Sequence, residues 1–178
     1  LLTDIQINPV QEATGATDWE FVSTGNNHTC AVKTDGRLFC WGFDGNGQLG
    51  NGAPTANQVS PVQESTGATN WASVSASSVH TCAVKTDGRL FCWGSDANGQ
   101  LGNGATTGNQ VNPVQESTGA TDWVSVSAAN NHTCAVKNDG RLFCWGNDFS
   151  GQLGNGAPTA DQVSPVQEST GAMDWAQV

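Results

Sequence analysis

Basic residues are scarce in this sequence. Its 178 residues include 6 Lys and Arg against 16 Asp and Glu, which gives a net charge of -10. A surface with that excess repels the phosphate backbone of nucleic acids and anionic lipid headgroups. We therefore expect no nucleic-acid partner.

Long apolar segments are also missing. No window approaches the run of about 18 apolar residues that a membrane-spanning helix needs, so we expect no membrane insertion. No stretch of useful length has helical periodicity, which favours an all-β chain. The sequence opens on Leu1-Leu2 without Met, as expected for a processed product or a fragment of a longer repeat chain.

Catalytic and cofactor motifs are absent as well. The sequence has no nucleophile elbow, no paired carboxylates in apolar surroundings, and no Lys in its Gly-rich runs to hold a phosphate. The segment Asp44 to Gly47 resembles the start of a calcium loop, but Gln48 and Leu49 follow where a ligand and a Gly belong. We therefore predict that the chain is not an enzyme and binds no metal or cofactor.

A 15-residue stretch repeats with a period of 52. HTCAVKTDGRLFCWG spans residues 28–42, recurs unchanged at 80–94, and recurs at 132–146 with Asn138 in place of Thr. A fixed period of this size predicts an array of similar structural units. Trp19, Trp71, Trp123 and Trp175 mark the same point of each cycle.

Each copy of this stretch predicts a β-hairpin. Thr34-Asp35-Gly36 suits a three-residue turn closed by glycine, and the resulting register sets Cys30 opposite Cys40. Facing cysteines at a non-hydrogen-bonded pair can form a disulfide. Disulfides would place the chain in an oxidising compartment, whereas free buried cysteines in a cytosolic protein are the alternative. The predicted bridges join Cys30 to Cys40, Cys82 to Cys92, and Cys134 to Cys144.

Both faces of the hairpin are apolar away from its turn, which predicts that the hairpin is packed between two neighbours. Small residues after each Trp, as in Trp71 to Ala76, favour a strand in the narrow space beside a central axis. We place that strand innermost, the cysteine hairpin in the middle, and the Gly-rich run at residues 47–52 as the irregular outer part.

The repeat resembles that of the regulator of chromosome condensation, the RCC1-like β-propellers. The shared elements are residues 25–29, 35–42 and 47–52, with counterparts 52 and 104 residues later. The resemblance implies four-stranded blades around an axis, usually seven of them. It also implies blade-packing roles for His28, Trp41, His80, Trp93, His132 and Trp145. The cysteines resemble those of secreted bacterial members, so we expect a secreted or cell-surface protein.

We expect one propeller-type domain in which residues 1–22 end a preceding repeat and begin the first inner strand. Residues 23–74, 75–126 and 127–178 are then repeats 1 to 3. Three repeats and a half-blade do not close a ring, since propellers commonly have about four to eight blades. The chain is therefore expected to be a fragment or to share its ring with other chains.

The positions at which the copies differ are the candidate binding residues, because loops on a rigid scaffold commonly carry function. Neutral drift at exposed positions is the alternative. We hypothesise a non-catalytic extracellular module that binds a protein partner. The alternatives are a self-assembling scaffold that forms a homo-oligomer and a propeller that binds carbohydrate weakly. The candidate positions are Asn26, Asn27, Phe43, Ser78, Val79, Ser95, Asn130, Asn131, Asn147 and Phe149.

Overall fold

The computed structural model describes residues 8–53, 56–156 and 160–178. The described residues form twelve β-strands, in agreement with the all-β prediction. They are β1 (Trp19–Thr24), β2 (His28–Lys33), β3 (Leu38–Gly42), β4 (Gln58–Gln63), β5 (Trp71–Ala76), β6 (His80–Lys85), β7 (Leu90–Gly94), β8 (Gln110–Gln115), β9 (Trp123–Ala128), β10 (His132–Lys137), β11 (Leu142–Gly146) and β12 (Gln162–Gln167).

The strands form three antiparallel sheets of four, each with its strands in chain order. These are blade 1 (β1 to β4), blade 2 (β5 to β8) and blade 3 (β9 to β12). The four-stranded blade implied by the resemblance is confirmed. The repeat boundaries after residues 22, 74 and 126 each fall inside an inner strand, so the blades themselves span 19–63, 71–115 and 123–167.

The predicted hairpin register is present in all three copies. Cys30 pairs with Cys40 and Val32 with Leu38, and the other two blades repeat this pairing. The three predicted disulfides are formed, with Cα atoms 4.1, 4.0 and 4.1 Å apart. All six cysteines lie in the described ranges and none is free.

The strand that begins at each Trp is innermost, as predicted. Strands β1, β5 and β9 line a common cleft of about 490 Å³ together with residues 176–178. Serine side chains link neighbouring inner strands, because Ser23 Oγ accepts from Ala76 N and Ser75 Oγ accepts from Ala128 N, both at 2.9 Å. Small side chains allow this close approach near the axis.

Each hairpin is packed on both sides, which explains its two apolar faces. One side of the blade 1 sheet, here called the cysteine face, carries Cys30, Val32, Leu38 and Cys40. The opposite side, called the tryptophan face, carries Thr29, Ala31, Phe39 and Trp41, with equivalents 52 and 104 residues later. The cysteine face of blade 1 packs against the tryptophan face of blade 2, and blade 2 packs against blade 3 in the same way.

The outer position predicted for the Gly-rich run is wrong. The outermost strand of blade 1 is β4, whose Pro61 suits a sheet edge because proline donates no ladder hydrogen bond. Gln48 and Leu49 of the Gly-rich run are fully buried, and Gln48 O accepts from Trp93 Nε1 of the next blade at 2.9 Å. The run is therefore a connector between blades. Periodicity alone did not reveal this, because the contact joins residues 45 positions apart.

Candidate interaction face

The variable positions come together at one end of the sheets. In blade 1, Asn27 O accepts from Phe43 N at 2.8 Å, which joins the β1–β2 loop to the β3–β4 loop. The same bond joins Val79 to Ser95 at 2.9 Å and Asn131 to Asn147 at 2.8 Å. We call this set of six loops the loop face. The hairpin turns, with Asp35 in blade 1, lie at the opposite end of the sheets.

Exposure differs among the candidate positions. Phe149 is 81% exposed and Phe43 is 40% exposed. The four asparagines of the β1–β2 loop and its blade 3 counterpart are also exposed, whereas the remaining candidates are half-buried. The exposed asparagines are Asn26, Asn27, Asn130 and Asn131, and the half-buried residues are Ser78, Val79, Ser95 and Asn147.

Buried aspartates hold the β3–β4 loop and its counterparts in place. Asp44 Oδ1 accepts from Leu49 N at 3.0 Å, and Asp96 and Asp148 make the same bond to Leu101 and Leu153. Burial raises the pKa of Asp44. The sequence interpretation missed these residues as supports of the loop face. Their signal was an Asp that stays unchanged in a variable loop, two residues after the Trp-Gly pair.

The histidines connect blades and do not converge on a ligand. His28 Nε2 lies 2.8 Å from Thr81 Oγ1, and that hydroxyl donates to Gln48 O at 2.8 Å. Because the hydroxyl proton is used, the histidine must donate from Nε2. Burial lowers the pKa of His28 to about 4 and that of His80 to about 3, so both rings are neutral at pH 7.

Gly25 explains a difference between the first blade and the others. A side chain there would meet Ser77 O at 1.9 Å and the His28 ring at 2.8 Å. Its counterpart Ser77 instead places Oγ 2.9 Å from His80 Nδ1. Consequently His80 has a partner at Nδ1, whereas His28 Nδ1 is buried without one among the described residues.

Asn147 completes a hydrogen bond that the first two blades lack. In blade 3, Gln152 Nε2 donates to Asn147 Oδ1 at 2.6 Å. Phe43 and Ser95 occupy the position of Asn147 in the other blades, and there Gln48 Nε2 and Gln100 Nε2 are buried without a partner among the described residues. The variable position therefore affects the support beneath the loops as well as their surface.

The basic groups concentrate at the opposite, hairpin end. The six Lys and Arg side chains, all in the described ranges, belong to the three hairpins. Lys33 pairs with Asp18 at 2.8 Å and Lys137 with Asp122 at 2.9 Å. Asn70 replaces the aspartate near Lys85, whose ammonium lies 4.6 Å from the Trp71 ring centre. The loop face therefore has no basic side chain among its described residues.

Buried glutamates form another support that the sequence interpretation missed. Glu64 accepts from Thr66 N at 2.7 Å, from Ala68 N at 3.0 Å and from Trp71 Nε1 at 3.2 Å. Glu116 repeats these bonds around Trp123. The glutamate orders the connection between blades and satisfies a buried indole donor.

The tryptophans offer little surface for a sugar. Trp71, Trp93, Trp123 and Trp145 are at most 2% exposed. Trp19 and Trp41 are half-buried on the tryptophan face of blade 1, and Trp175 is 41% exposed. None of the seven lies in the loops that carry the variable residues.

Metal and membrane sites were sought in the same residues. Within 8–53, 56–156 and 160–178, no three His, Cys, Asp or Glu side chains are grouped closely enough to hold a metal ion. The described part of the chain likewise contains no helix with the length and apolar character needed to cross a membrane.

Comparison of the sequence with protein families identifies the repeat. The model described as the regulator of chromosome condensation (RCC1) repeat matches residues 35–84, 87–136 and 139–178. A second RCC1 repeat model matches residues 19–48, 71–100 and 123–152, each of which begins at an inner-strand Trp.

Relatives of known name contain this segment within longer chains. The sequence is 37% identical over 152 residues to the Homo sapiens probable E3 ubiquitin-protein ligase HERC6, covering 81% of this chain and 14% of that protein. It is 33% identical over 145 residues to the Arabidopsis thaliana ultraviolet-B receptor UVR8, covering 81% of this chain and 33% of that protein. The chain thus spans between a seventh and a third of these relatives.

A solved structure has the same fold. Prp20p from Saccharomyces cerevisiae, reported with its binding properties to Gsp1p and histones, superposes with a TM-score of 0.75 at 23% identity, over 84% of this chain and 38% of that one. Similarity at this level supports the fold alone. The matching repeat models and the three four-stranded blades together show that the chain belongs to the RCC1 repeat family of β-propellers.

Proposed function

We propose that this chain is a non-catalytic, extracellular protein-interaction module that binds its partner through the loop face. The observation that carries the proposal is the clustering of the variable positions. Ten positions chosen only because the copies differ lie in six loops at one end of the sheets, above hairpins of nearly identical sequence.

The physical character of the loop face suits a protein partner. It offers exposed amides together with Phe43 and Phe149, and aromatic side chains are enriched among residues that dominate protein interfaces. Rigid support reduces the entropy lost on binding, and the buried Asp44, Asp96 and Asp148 supply that support.

The extracellular location rests on the three disulfides. Short-range bridges that close every hairpin persist in oxidising compartments and are rare in the cytosol. The relatives do not transfer an activity to this chain. HERC6 is named a probable ligase, but only 14% of its length is matched.

The chain supplies its own control for a binding test. Replacing Asn26, Asn27 and Phe43 by the blade 2 residues Ser, Val and Ser changes the loop face while keeping residues that the fold already accepts. Immobilised wild-type and variant chains are exposed to the same extracellular material, and each retained protein is then titrated by calorimetry. We expect at least a tenfold weaker affinity for the blade 1 variant or for Phe149→Ala. Equal affinity for all three proteins would exclude the loop face.

A self-assembling scaffold is the second candidate function, and the uncovered outer faces of blades 1 and 3 favour it. Carbohydrate binding has no comparable support, since the tryptophans lie outside the loop face.

A further inference from the structure

Two sheet faces of the three-blade unit lack the neighbour that covers the equivalent faces inside it. On blade 1 the uncovered side is the tryptophan face, where Thr29 and Trp41 are half-buried while Thr81, Thr133, Trp93 and Trp145 are fully buried. On blade 3 it is the cysteine face, where His132, Cys134 and Leu142 are half-buried and their counterparts in blades 1 and 2 are buried.

The two interfaces inside the chain show what covers each face. His28 Nε2 meets Thr81 Oγ1 and His80 Nε2 meets Thr133 Oγ1, both at 2.8 Å. Within the described residues, no equivalent hydrogen bond is formed by His132 on the cysteine face of blade 3 or by Thr29 on the tryptophan face of blade 1. The unused halves of the same contact therefore lie at opposite ends of one molecule.

The shapes of the two faces are complementary in the same way. A Cβ atom on Gly50 would lie 2.6 Å from Trp93 Nε1, and one on Gly102 would lie 2.5 Å from Trp145 Nε1, so each glycine leaves room for the indole of the next blade. Gly154, the third glycine of this series, has no atom within 4 Å of the equivalent position. Trp41 is the indole that no glycine of the described chain receives.

We propose that a second copy of this chain docks head to tail, with its blade 1 tryptophan face on the blade 3 cysteine face of the first. Trp41 of the second copy lies over Gly154, its Thr29 accepts from His132 Nε2, and its indole donates to Gln152 O. The residues brought together are those that form the two internal interfaces. Two copies joined at both faces contain six blades, which lies within the range of about four to eight found in propellers, so the ring closes.

The end of the chain competes with this docking. Trp175 lies on the cysteine face of blade 3, with its N bonded to Gly140 O at 3.1 Å, where Trp71 bonds to Gly36 in blade 1. It is 41% exposed, whereas Trp71 is 2% exposed. The incoming Trp19, which belongs to a full strand, takes this position and displaces Trp175. Consequently Trp175→Ser is expected to strengthen the association.

A charge-exchange experiment tests the contact between Thr29 and His132. The wild-type chain, Thr29→Lys, His132→Glu and the double variant are compared by size exclusion with light scattering over a hundredfold concentration range. We expect a two-chain species for the wild type, at least a tenfold weaker association for Thr29→Lys, and recovery in the double variant, where the introduced ammonium would face the introduced carboxylate. Recovery separates a lost contact from a damaged fold, and circular dichroism of each variant checks the sheet.

Phe149→Ala is the matched control, because Phe149 belongs to the loop face and to neither outer face. It should leave the association unchanged while weakening partner binding, so the docking and the proposed function fail separately. A wild-type chain that stays single at every concentration would overturn the proposal. So would a two-chain species that Thr29→Lys leaves intact, or an open polymer in place of the two-chain ring.

Discussion

At the scale of single residues, near-identical copies make each difference a controlled experiment. Asn147 satisfies Gln152, whereas Ser95 at the same place in blade 2 leaves Gln100 Nε2 buried without a partner in the described chain. Gly25 avoids a clash that Ser77 does not meet, and Asn70 removes a carboxylate that Lys33 and Lys137 retain. Most of these differences alter hydrogen bonding and leave the apolar core unchanged.

Ser95→Asn is expected to stabilise the protein by about 1 kcal/mol, because an unpaired buried donor costs about 1 to 3 kcal/mol and the new amide can accept from Gln100. Urea unfolding measures the change. Asn147→Ser is the reverse control and should destabilise by a similar amount. Equal midpoints for Ser95→Asn and the wild type would show that Gln100 has another partner.

Acid is expected to weaken the contacts between blades through the histidines. The ordinary pKa of 6.5 falls to about 4 for His28 and about 3 for His80, so the unfolded chain binds more protons than the folded chain between those values. The free energy of unfolding is therefore complete above pH 6.5 and decreases as the pH falls, levelling off below about pH 3. Each such histidine contributes a slope of about 1.4 kcal/mol per pH unit within its window.

His80→Gln removes one of these groups while keeping a donor toward Thr133. Urea unfolding of both proteins at several values between about pH 6 and pH 5 should give a slope smaller by about one proton for the variant. Carboxylates titrate mainly below this range, so they do not mask the difference. An unchanged slope would contradict a buried, neutral His80.

At the scale of elements, the unit of packing is a pair of sheet faces. The cysteine face of one hairpin needs the tryptophan face of the next, and the Gly-rich run provides the space between them. Gly50, Gly102 and Gly154 have similar positive φ angles of 67°, 68° and 62°. They differ in whether an indole lies above them.

Gly102→Ala should therefore destabilise the chain more than Gly154→Ala. Both substitutions strain the backbone, because alanine disfavours positive φ, but only the first forces a side chain against Trp145. The difference is expected to be roughly 1 to 3 kcal/mol, the usual cost of overpacking. Thermal unfolding is measured in the Thr29→Lys background, where the outer faces stay apart. Equal losses would mean that the indole moves aside freely.

At the scale of the whole molecule, stability is distributed over repeated units, each closed by its own bridge. Repeat proteins gain stability from contacts between neighbouring units as well as within them. The disulfides lie on the cysteine faces and therefore contribute to both.

Reduction should lower the free energy of unfolding by roughly 2 to 3 kcal/mol for each bridge, as loop-closure entropy predicts for a sequence separation of 10. Denaturant unfolding with and without reductant measures the total loss, and mass spectrometry after alkylation counts the opened bridges. Cys82→Ala/Cys92→Ala is the single-bridge control. A reduced protein as stable as the oxidised one would contradict a stabilising role for the bridges.

Short-range pattern was enough to predict the hairpins, their register, the three disulfides and the blade type, because these depend on residues about ten positions apart and on alternation along a strand. The same reasoning misplaced the Gly-rich run and did not recognise Glu64 or Asp44 as supports. Their partners are fixed by backbone turns that residue types alone do not specify.

The sequence by itself determined the repeat, its family and the positions that vary. Only the tertiary structure decided that these variable positions share one end of the sheets and that each cysteine face requires the next tryptophan face. The reason is geometric: contacts such as His28 with Thr81 and Trp93 with Gln48 join residues about one period apart, and they exist only when blades stack.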